Sequence, residues 1–138
     1  MPAQYLLDTN ILSDLLKNPQ GKVAGKISSL PAGQRDSIAT SIVVAAELRY
    51  GAAKSGSSIL AARVDQLLAA VDILPLEAEA DRHYGQIRAE LEKAGTPIGG
   101  NDLLIAAQAL TINAVLVTDN VREFKRVKGL MVENWLRP

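Results

Sequence analysis

The sequence predicts an α/β protein with a mainly parallel central sheet. Short apolar segments that suit buried strands recur at residues 4–7, 37–39, 72–74, 114–117 and 130–132. Between them, apolar residues are spaced by three and four, which predicts helices. Strands that alternate with helices need crossover connections, and these give a parallel sheet covered by helices on both faces.

The predicted helices follow in order from this spacing. We expect helical segments at residues 11–16, 23–30, 60–71, 76–91 and 102–112. Pro31 ends the second, and the turn AGTP at 94–97 ends the fourth. The fifth is apolar on nearly every side, so it is expected to be buried, with Asn101 as its N-cap and Asp102 in its first turn. The Gly and Ser residues at 51–58 predict a connection between two helices.

Length and composition narrow the class of protein. The 138 residues fit one domain over residues 1–138 that can bury its own core. There is no cysteine, which excludes a disulfide framework and a thiolate zinc site and suits a cytoplasmic protein. The start MPAQYLLDTN lacks the basic and apolar regions of a secretory signal, and no apolar run reaches the roughly 18 residues of a membrane span. The formal net charge is zero, so charge alone does not indicate a nucleic-acid binder.

Four acidic residues stand against strongly apolar surroundings. Asp8 ends QYLLD, Glu47 lies inside SIVVAAEL, Asp102 begins NDLLIAAQAL, and Asp119 ends AVLVTD. A carboxylate in such a setting pays a desolvation penalty unless a cation or hydrogen bonds offset it, and no matching set of apolar-flanked cations accompanies these four. Asp8 and Asp119 follow two predicted strands, and ligand sites lie beyond the carboxyl ends of parallel strands. We therefore expect the four acids to converge on one or two divalent cations.

The residue types present favour Mg²⁺ or Mn²⁺ chemistry on a phosphodiester. These hard cations prefer oxygen ligands, whereas the chain has no cysteine and only one histidine, His83, which argues against zinc hydrolase or thiol chemistry. Two unit charges about 4 Å apart repel by roughly 4 kcal/mol at an effective dielectric near 20. Several carboxylates without a cation are therefore expected to separate or to take up protons.

Each acid taken alone also has a purely structural explanation. Asp8 could cap a helix that begins near Ile11, and Asp102 could be a helix-start residue. Glu47 could lie on an exposed helix face, and Asp119 could belong to a plain turn. The functional hypothesis depends on the set of four and not on any one member.

Basic residues cluster near two of these acids. The segment REFKRVK at 122–128 follows Asp119, and two cations follow Glu47. We consider these side chains hypothetical phosphate-positioning groups: Arg49, Lys54, Arg122, Lys125 and Arg126. Lys and Arg are also common on solvent-exposed helix faces, so this pattern does not separate the two explanations.

Four motifs, in this order, resemble the PIN-domain ribonucleases, and most closely the VapC toxins of bacterial VapBC toxin–antitoxin pairs: LLDTNILSDLL, AAELRYGA, NDLLIAAQAL and LVTDNVREFKRVKGLMVENW. The resemblance covers essentially the whole chain. It implies a three-layer α/β/α PIN-like domain and a Mg²⁺- or Mn²⁺-dependent endoribonuclease that hydrolyses RNA with metal-activated water. It also implies a homodimer, no membrane partner, and a VapB-like antitoxin that forms a hetero-oligomer with the toxin and binds operator DNA.

The resemblance also assigns roles to individual residues. Asp8, Glu47 and Asp102 match the three principal acids of the family, so they are the implied catalytic metal ligands. Asp119 matches a more variable fourth position, for which Glu123 is the alternative. The side chains implied to hold these carboxylates by hydrogen bonds are Thr9, Asn10, Thr118 and Asn120. One departure is Val44, where many relatives have a hydroxyl residue; the nearest hydroxyl here is Ser41.

Two rival functions remain open at this level. A metal-dependent phosphatase with an aspartyl nucleophile needs Asp-x-Asp at the end of the first strand, and this chain has Asp8-Thr9-Asn10. A binding module without catalysis is the other alternative, and retention of all four acids argues against it.

Overall fold

The computed structural model describes residues 4–138 and contains a five-stranded sheet in which every strand pair is parallel. The strand order is β3-β2-β1-β4-β5. The strands are β1 (Tyr5–Leu7), β2 (Ile38–Ser41), β3 (Asp72–Leu74), β4 (Val115–Val117) and β5 (Met131–Glu133). The predicted α/β class and the parallel sheet are confirmed. Each predicted strand lies within one residue of its expected start.

Helices fill the connections between the strands. They are α1 (Thr9–Lys17), α2 (Lys22–Ser29), α3 (Ala32–Arg35), α4 (Ile42–Ser55), α5 (Ser58–Ala69), α6 (Ala80–Lys93), α7 (Gly100–Thr111) and α8 (Val121–Phe124). None of the helices found between residues 4 and 138 has the length and apolar character needed to cross a bilayer. As predicted, α7 is largely buried.

Three details of the helices differ from the predictions. The helix α4 continues through the Gly and Ser stretch to Ser55, so the connection to α5 is only two residues, and Gly56 closes α4 with φ +70°. The helix α6 begins at Ala80, which leaves Leu76 outside it. The N-cap of α7 is Gly99, whereas Asn101 lies inside the first turn. The four-residue helices α3 and α8 are too short to produce a periodic pattern.

The strand order puts a topological switch between β1 and β4. The chain leaves β1 toward β2 and β3, and it returns to the other side of β1 through β4. Leu7, the last residue of β1, is in register with Thr40 of β2 and Val117 of β4. The residues after β1 and β4 therefore emerge side by side, where parallel sheets of this kind bind ligands.

A buried side-chain hydrogen bond helps to hold the carboxyl ends of β1 and β2 together. The hydroxyl of Thr40, which is fully buried, donates to the carbonyl oxygen of Leu7 at 2.6 Å. Thr40→Val leaves that bond unmade without changing the shape of the side chain much, so we expect a loss of about 1–2 kcal/mol in the free energy of unfolding. Urea denaturation measures it, with Thr96→Val at an exposed position as the control. Equal midpoints for the two variants would contradict this role.

Candidate active site

Asp8 lies directly after β1 and is both a helix cap and a buried acid. One carboxylate oxygen accepts from the Thr9 backbone N–H at 2.8 Å, which caps α1. The other accepts from the Thr118 hydroxyl at 2.8 Å, across the junction with β4. Burial raises the pKa of Asp8, while these two hydrogen bonds favour the ionised form. A cap on a surface helix needs neither the burial nor the contact with β4, so capping alone does not account for this residue.

Polar side chains after β1 and β4 form a network around Asp8. The Asn10 amide group lies 3.4 Å from Asp8 Oδ2 and 3.3 Å from Thr118 Oγ1. The Asn10 amide oxygen accepts from the Asp119 backbone N–H at 2.9 Å. The Asn120 backbone N–H donates to Thr118 Oγ1 at 3.0 Å. Because this network ties both loops to one carboxylate, the orientation of Asp8 is closely determined.

Glu47 extends from α4 toward the residues that follow β1. Its Oε1 accepts from the Thr9 hydroxyl at 2.9 Å, and the side chain is partly buried. Ser41 caps α4 by accepting from the Val43 N–H at 3.0 Å. Val44 itself is fully buried in the core.

Asp102 and Glu123 complete the acidic cluster. Asp102 lies in the first turn of α7, and its pKa is raised to about 7, first by burial and then by the negative charges of Asp8 and Glu123. A hydrogen bond with Glu123 also favours the protonated form of Asp102. The Asn120 amide in turn donates to the Glu123 carboxylate. We call Asp8, Glu47, Asp102 and Glu123 the acidic cluster.

Asp119 does not contribute its carboxylate to this cluster in the structure. Its side chain accepts from the Asn134 amide at 3.0 Å and from Arg137 Nε at 3.0 and 3.2 Å. These contacts lower the pKa of Asp119, the Asn134 hydrogen bond most of all. The charge of Glu123, and not that of Asp119, raises the pKa of Asp8 and of Asp102. In this structure Glu123 therefore acts electrostatically on Asp8 and Asp102, whereas the Asp119 carboxylate is held by Asn134 and Arg137.

The acidic cluster has the donor chemistry of a hard-cation site. Across residues 4–138, no three His, Cys, Asp or Glu side chains already lie in the arrangement of metal ligands. The groups present nevertheless offer only oxygen donors, and burial and then the like charges of neighbouring acids raise the pKa of Asp8 and of Asp102. A divalent cation would reverse that effect by favouring the ionised forms. The cluster therefore fits Mg²⁺ or Mn²⁺ by charge and ligand type.

The predicted phosphate-positioning residues lie on α4, on α8 and in the segment that follows α8. Arg49 on α4 forms an ion pair with Asp65 at 2.7 Å, and Lys54 Nζ lies 5.8 Å from the Tyr50 ring centre. Arg122 belongs to α8 beside Glu123, and Lys125 and Arg126 follow that helix. All five are exposed.

Sequence patterns gave no indication of Asn134 and Arg137, which contact Asp119 from a distant part of the chain. Neither residue lies in a periodic or apolar segment that could have drawn attention to it. The short string VENW formed part of the family resemblance but carried no role for individual side chains.

Comparisons with known proteins agree with this architecture. The family model for the PIN domain matches residues 5–130. Ribonuclease VapC2 of Rickettsia felis is 39% identical over 132 residues, covering 95% of this chain and 97% of the relative. The tRNA(fMet)-specific endonuclease VapC of Shigella flexneri is 38% identical, covering 96% of this chain and 98% of the relative.

Solved structures give the same result. The toxin–antitoxin complex VapBC2 from Rickettsia felis, bound to a DNA fragment from its promoter, contains a chain that matches with a TM-score of 0.83 at 37% identity, covering 95% of this chain and 98% of that one. VapBC-1 from nontypeable Haemophilus influenzae matches with a TM-score of 0.81 at 38% identity, covering 95% and 97%. The chain therefore belongs to the PIN-domain family, among the VapC ribonucleases.

Proposed function

We propose that this chain is a metal-dependent endoribonuclease and the toxin of a type II toxin–antitoxin pair. The observation that carries the proposal is the acidic cluster at the switch between β1 and β4, where burial and like charge raise the pKa of Asp8 and Asp102. Carboxylates arranged in this way suit a cation and not an apolar ligand. The relatives named as VapC ribonucleases support RNA as the substrate.

Asp8 and Asp102 are the proposed principal ligands of Mg²⁺ or Mn²⁺, with Glu47 and Glu123 completing the set directly or through water. When bound, such an ion supplies a nucleophilic water at neutral pH and stabilises charge that develops on the phosphoryl and departing oxygens. Glu47 and Glu123 have flexible side chains, and the proposal requires them to rotate toward the two aspartates.

The neighbouring residues orient these acids and affect how readily each acid is protonated. Thr118 and Thr9 donate to Asp8 and favour its ionised form, which opposes the effect of burial on its pKa. Thr9 also fixes Glu47 through its hydroxyl. Burial and the nearby negative charges favour the protonated form of Asp102, which has to lose that proton when a cation binds.

The exposed cations are the proposed contacts to the RNA backbone. Arg122, Lys125 and Arg126 lie within or just after α8, next to Glu123, while Lys54 lies farther along the helix that carries Glu47. Arg49 can take part only by exchanging Asp65 for a phosphate. Neutralising these side chains is expected to weaken RNA binding and reduce its salt dependence while sparing metal affinity.

The proposed partners follow from the relatives in the same way. VapBC complexes among the structural neighbours, some bound to DNA, support a VapB-like antitoxin as the inhibitor of this chain. We propose that operator DNA is reached through the antitoxin, that the toxin forms a homodimer inside the complex, and that the complex acts in the cytoplasm.

The proposal separates Glu123 from Asp119 in a measurable way. Glu123→Gln removes a charge from the acidic cluster, so we expect kcat to fall at least about a hundredfold. Asp119→Asn keeps a polar group of the same shape outside the cluster, so we expect a loss of at most about tenfold. Single-turnover cleavage of a fluorescent RNA measures both. A larger loss for Asp119→Asn than for Glu123→Gln would return the fourth position to Asp119.

Mapping of RNA ends tests the function itself. Purified chain is incubated with total bacterial RNA in Mg²⁺ or Mn²⁺, and cleavage ends are sequenced with and without EDTA; a generic phosphate ester is assayed in parallel. We expect discrete internal cuts that disappear with EDTA, and no hydrolysis of the ester. Hydrolysis of the ester without RNA cuts would favour a phosphatase. Neither activity would favour a binding module.

A further inference from the structure

We propose that Arg137 is a positioning residue for the acidic cluster, acting through Asp119 and Asn10 on Asp8. The inference rests on the proposed function only for its kinetic consequence. We call Asn134, Trp135, Leu136 and Arg137 the 134–137 clasp. Arg137 contacts no cluster acid itself, so its influence has to pass through the loop after β4.

The clasp is a turn that is closed by side-chain to backbone hydrogen bonds. The Asn134 amide oxygen accepts from the backbone N–H groups of Leu136 and Arg137, both at 2.9 Å. These bonds fold the segment back, so that Asn134 Nδ2 and Arg137 Nε both donate to the Asp119 carboxylate. The carboxylate is thus held by two donors from one turn.

Trp135 anchors the clasp to the sheet. Its side chain is 4% exposed, and its indole N–H donates to Glu133 Oε1 at 3.0 Å. Its ring packs edge-on against Tyr5 of β1, with 5.1 Å between the ring centres. The clasp is therefore packed against β1, the strand that precedes Asp8. This packing limits how far Asn134 and Arg137 can move relative to Asp119.

Asp119 passes this restraint to Asp8 through Asn10. The Asp119 backbone N–H donates to the Asn10 amide oxygen at 2.9 Å, which fixes which end of the amide group faces the cluster. The Asn10 NH₂ group then has to face Asp8 Oδ2 and Thr118 Oγ1. If Asp119 shifts, the Asn10 amide oxygen loses the N–H donor that orients it. The Asn10 NH₂ group is then no longer held toward Asp8 Oδ2.

The exposure of Arg137 makes it easy to replace without unfolding the chain. Its side chain is 77% exposed, whereas the carboxylate it holds is only 24% exposed. Arg88 is a matched control, because it forms an ion pair with Glu92 at 3.1 Å on α6 and is also well exposed. Arg88→Gln removes this ion pair and a hydrogen bond to the Tyr84 hydroxyl, both within α6, so it controls for the loss of an exposed arginine outside the clasp.

The test combines NMR without metal and kinetics with metal, on wild type, Arg137→Gln, Arg137→Lys, Asn134→Ala and Arg88→Gln. We expect Arg137→Gln and Asn134→Ala to shift the Asn10 side-chain amide signals and to speed hydrogen exchange of the Asp119 amide several-fold. Arg88→Gln should do neither, and Arg137→Lys should restore part of the wild-type behaviour. With Mn²⁺ and RNA, we expect Arg137→Gln to lower kcat about tenfold at unchanged KM.

Two results would overturn the inference. One is an unchanged Asn10 signal and unchanged Asp119 exchange in Arg137→Gln. The other is a raised KM with a smaller salt slope at constant kcat, which assigns Arg137 to direct contact with the RNA backbone. If the wild-type chain cuts no RNA, the proposed function fails, while the metal-free NMR comparison still decides whether the clasp positions Asn10.

Discussion

Asp8→Asn is expected to lower the rate of RNA cleavage by at least about a thousandfold. Asn keeps the size of the side chain, and its single amide oxygen can still accept from the Thr9 N–H, but an NH₂ group replaces the oxygen that accepts from Thr118. The substitution also removes the charge that a cation needs, at a buried position where hydrogen bonds from Thr118 and Thr9 favour the ionised acid. Single-turnover cleavage at saturating Mn²⁺ measures the loss.

Asp36→Asn is the matched control for this variant. Asp36 is exposed, follows α3, and is not among the residues whose charge raises the pKa of Asp8 or Asp102, so its replacement is expected to leave the rate within about twofold. Far-UV circular dichroism and urea denaturation should show that Asp8→Asn is folded. A folded Asp8→Asn protein with near wild-type cleavage would remove Asp8 from the chemistry.

Asp102→Asn is expected to stabilise the metal-free protein at pH 8 while it impairs metal binding. The pKa of Asp102 is about 7 in the folded protein and 3.8 as the reference value for an unperturbed side chain. Between these values the folded protein holds a proton that the unfolded chain has lost, so stability falls as pH rises through this window. Below pH 3.8 both states are protonated and the group has no effect.

Asp102 is only half-buried, so solvent screens its charge and reduces the effect of the raised pKa on the free energy of unfolding. We expect Asp102→Asn to raise the free energy of unfolding by roughly 1–2 kcal/mol at pH 8 in EDTA, and by much less at pH 5. Urea denaturation at the two pH values gives the comparison, with Asp36→Asn as control. A stabilisation that is the same at pH 5 and pH 8 would contradict the raised pKa as its origin.

Much of the fold could be predicted because the relevant signals are local. The strands are short apolar runs bounded by polar or turn residues, and all five appear near their expected positions. The alternation of strands and helices then allows mainly a parallel sheet, and the ends of β1 and β4 become neighbours. Asp8 could be placed at the site for this reason alone.

The identity of the fourth acid could not be predicted from the strand pattern. Asp8 directly follows β1 and Asp119 lies two residues after β4, and reasoning from strand ends selected both. The side-chain direction of Asp119 depends on Asn134 and Arg137, which are 15 and 18 residues away in the chain. Glu123 enters the cluster because α8 turns back at the end of β4, and a four-residue helix leaves no periodic signal.

The full length of α4 could not be predicted from residue types either. Gly51 and the Ser residues after it favour a connection in isolation. In the folded chain, buried residues on both sides of Gly51, Leu48 and Ala52, hold the helix in place. Packing therefore extends the helix where local propensity would end it.

Calorimetric titration with Mn²⁺ at pH 7 measures whether Asp8, Glu47, Asp102 and Glu123 bind a shared divalent cation. The titration is repeated in buffers of different ionisation enthalpy on wild type, Asp8→Asn and Asp36→Asn. We expect binding with proton release for wild type and Asp36→Asn, because Asp102 gives up its proton, and at least about a hundredfold weaker binding for Asp8→Asn. Equal Mn²⁺ affinity in all three proteins, or no binding by any, would show that these acids do not share a cation.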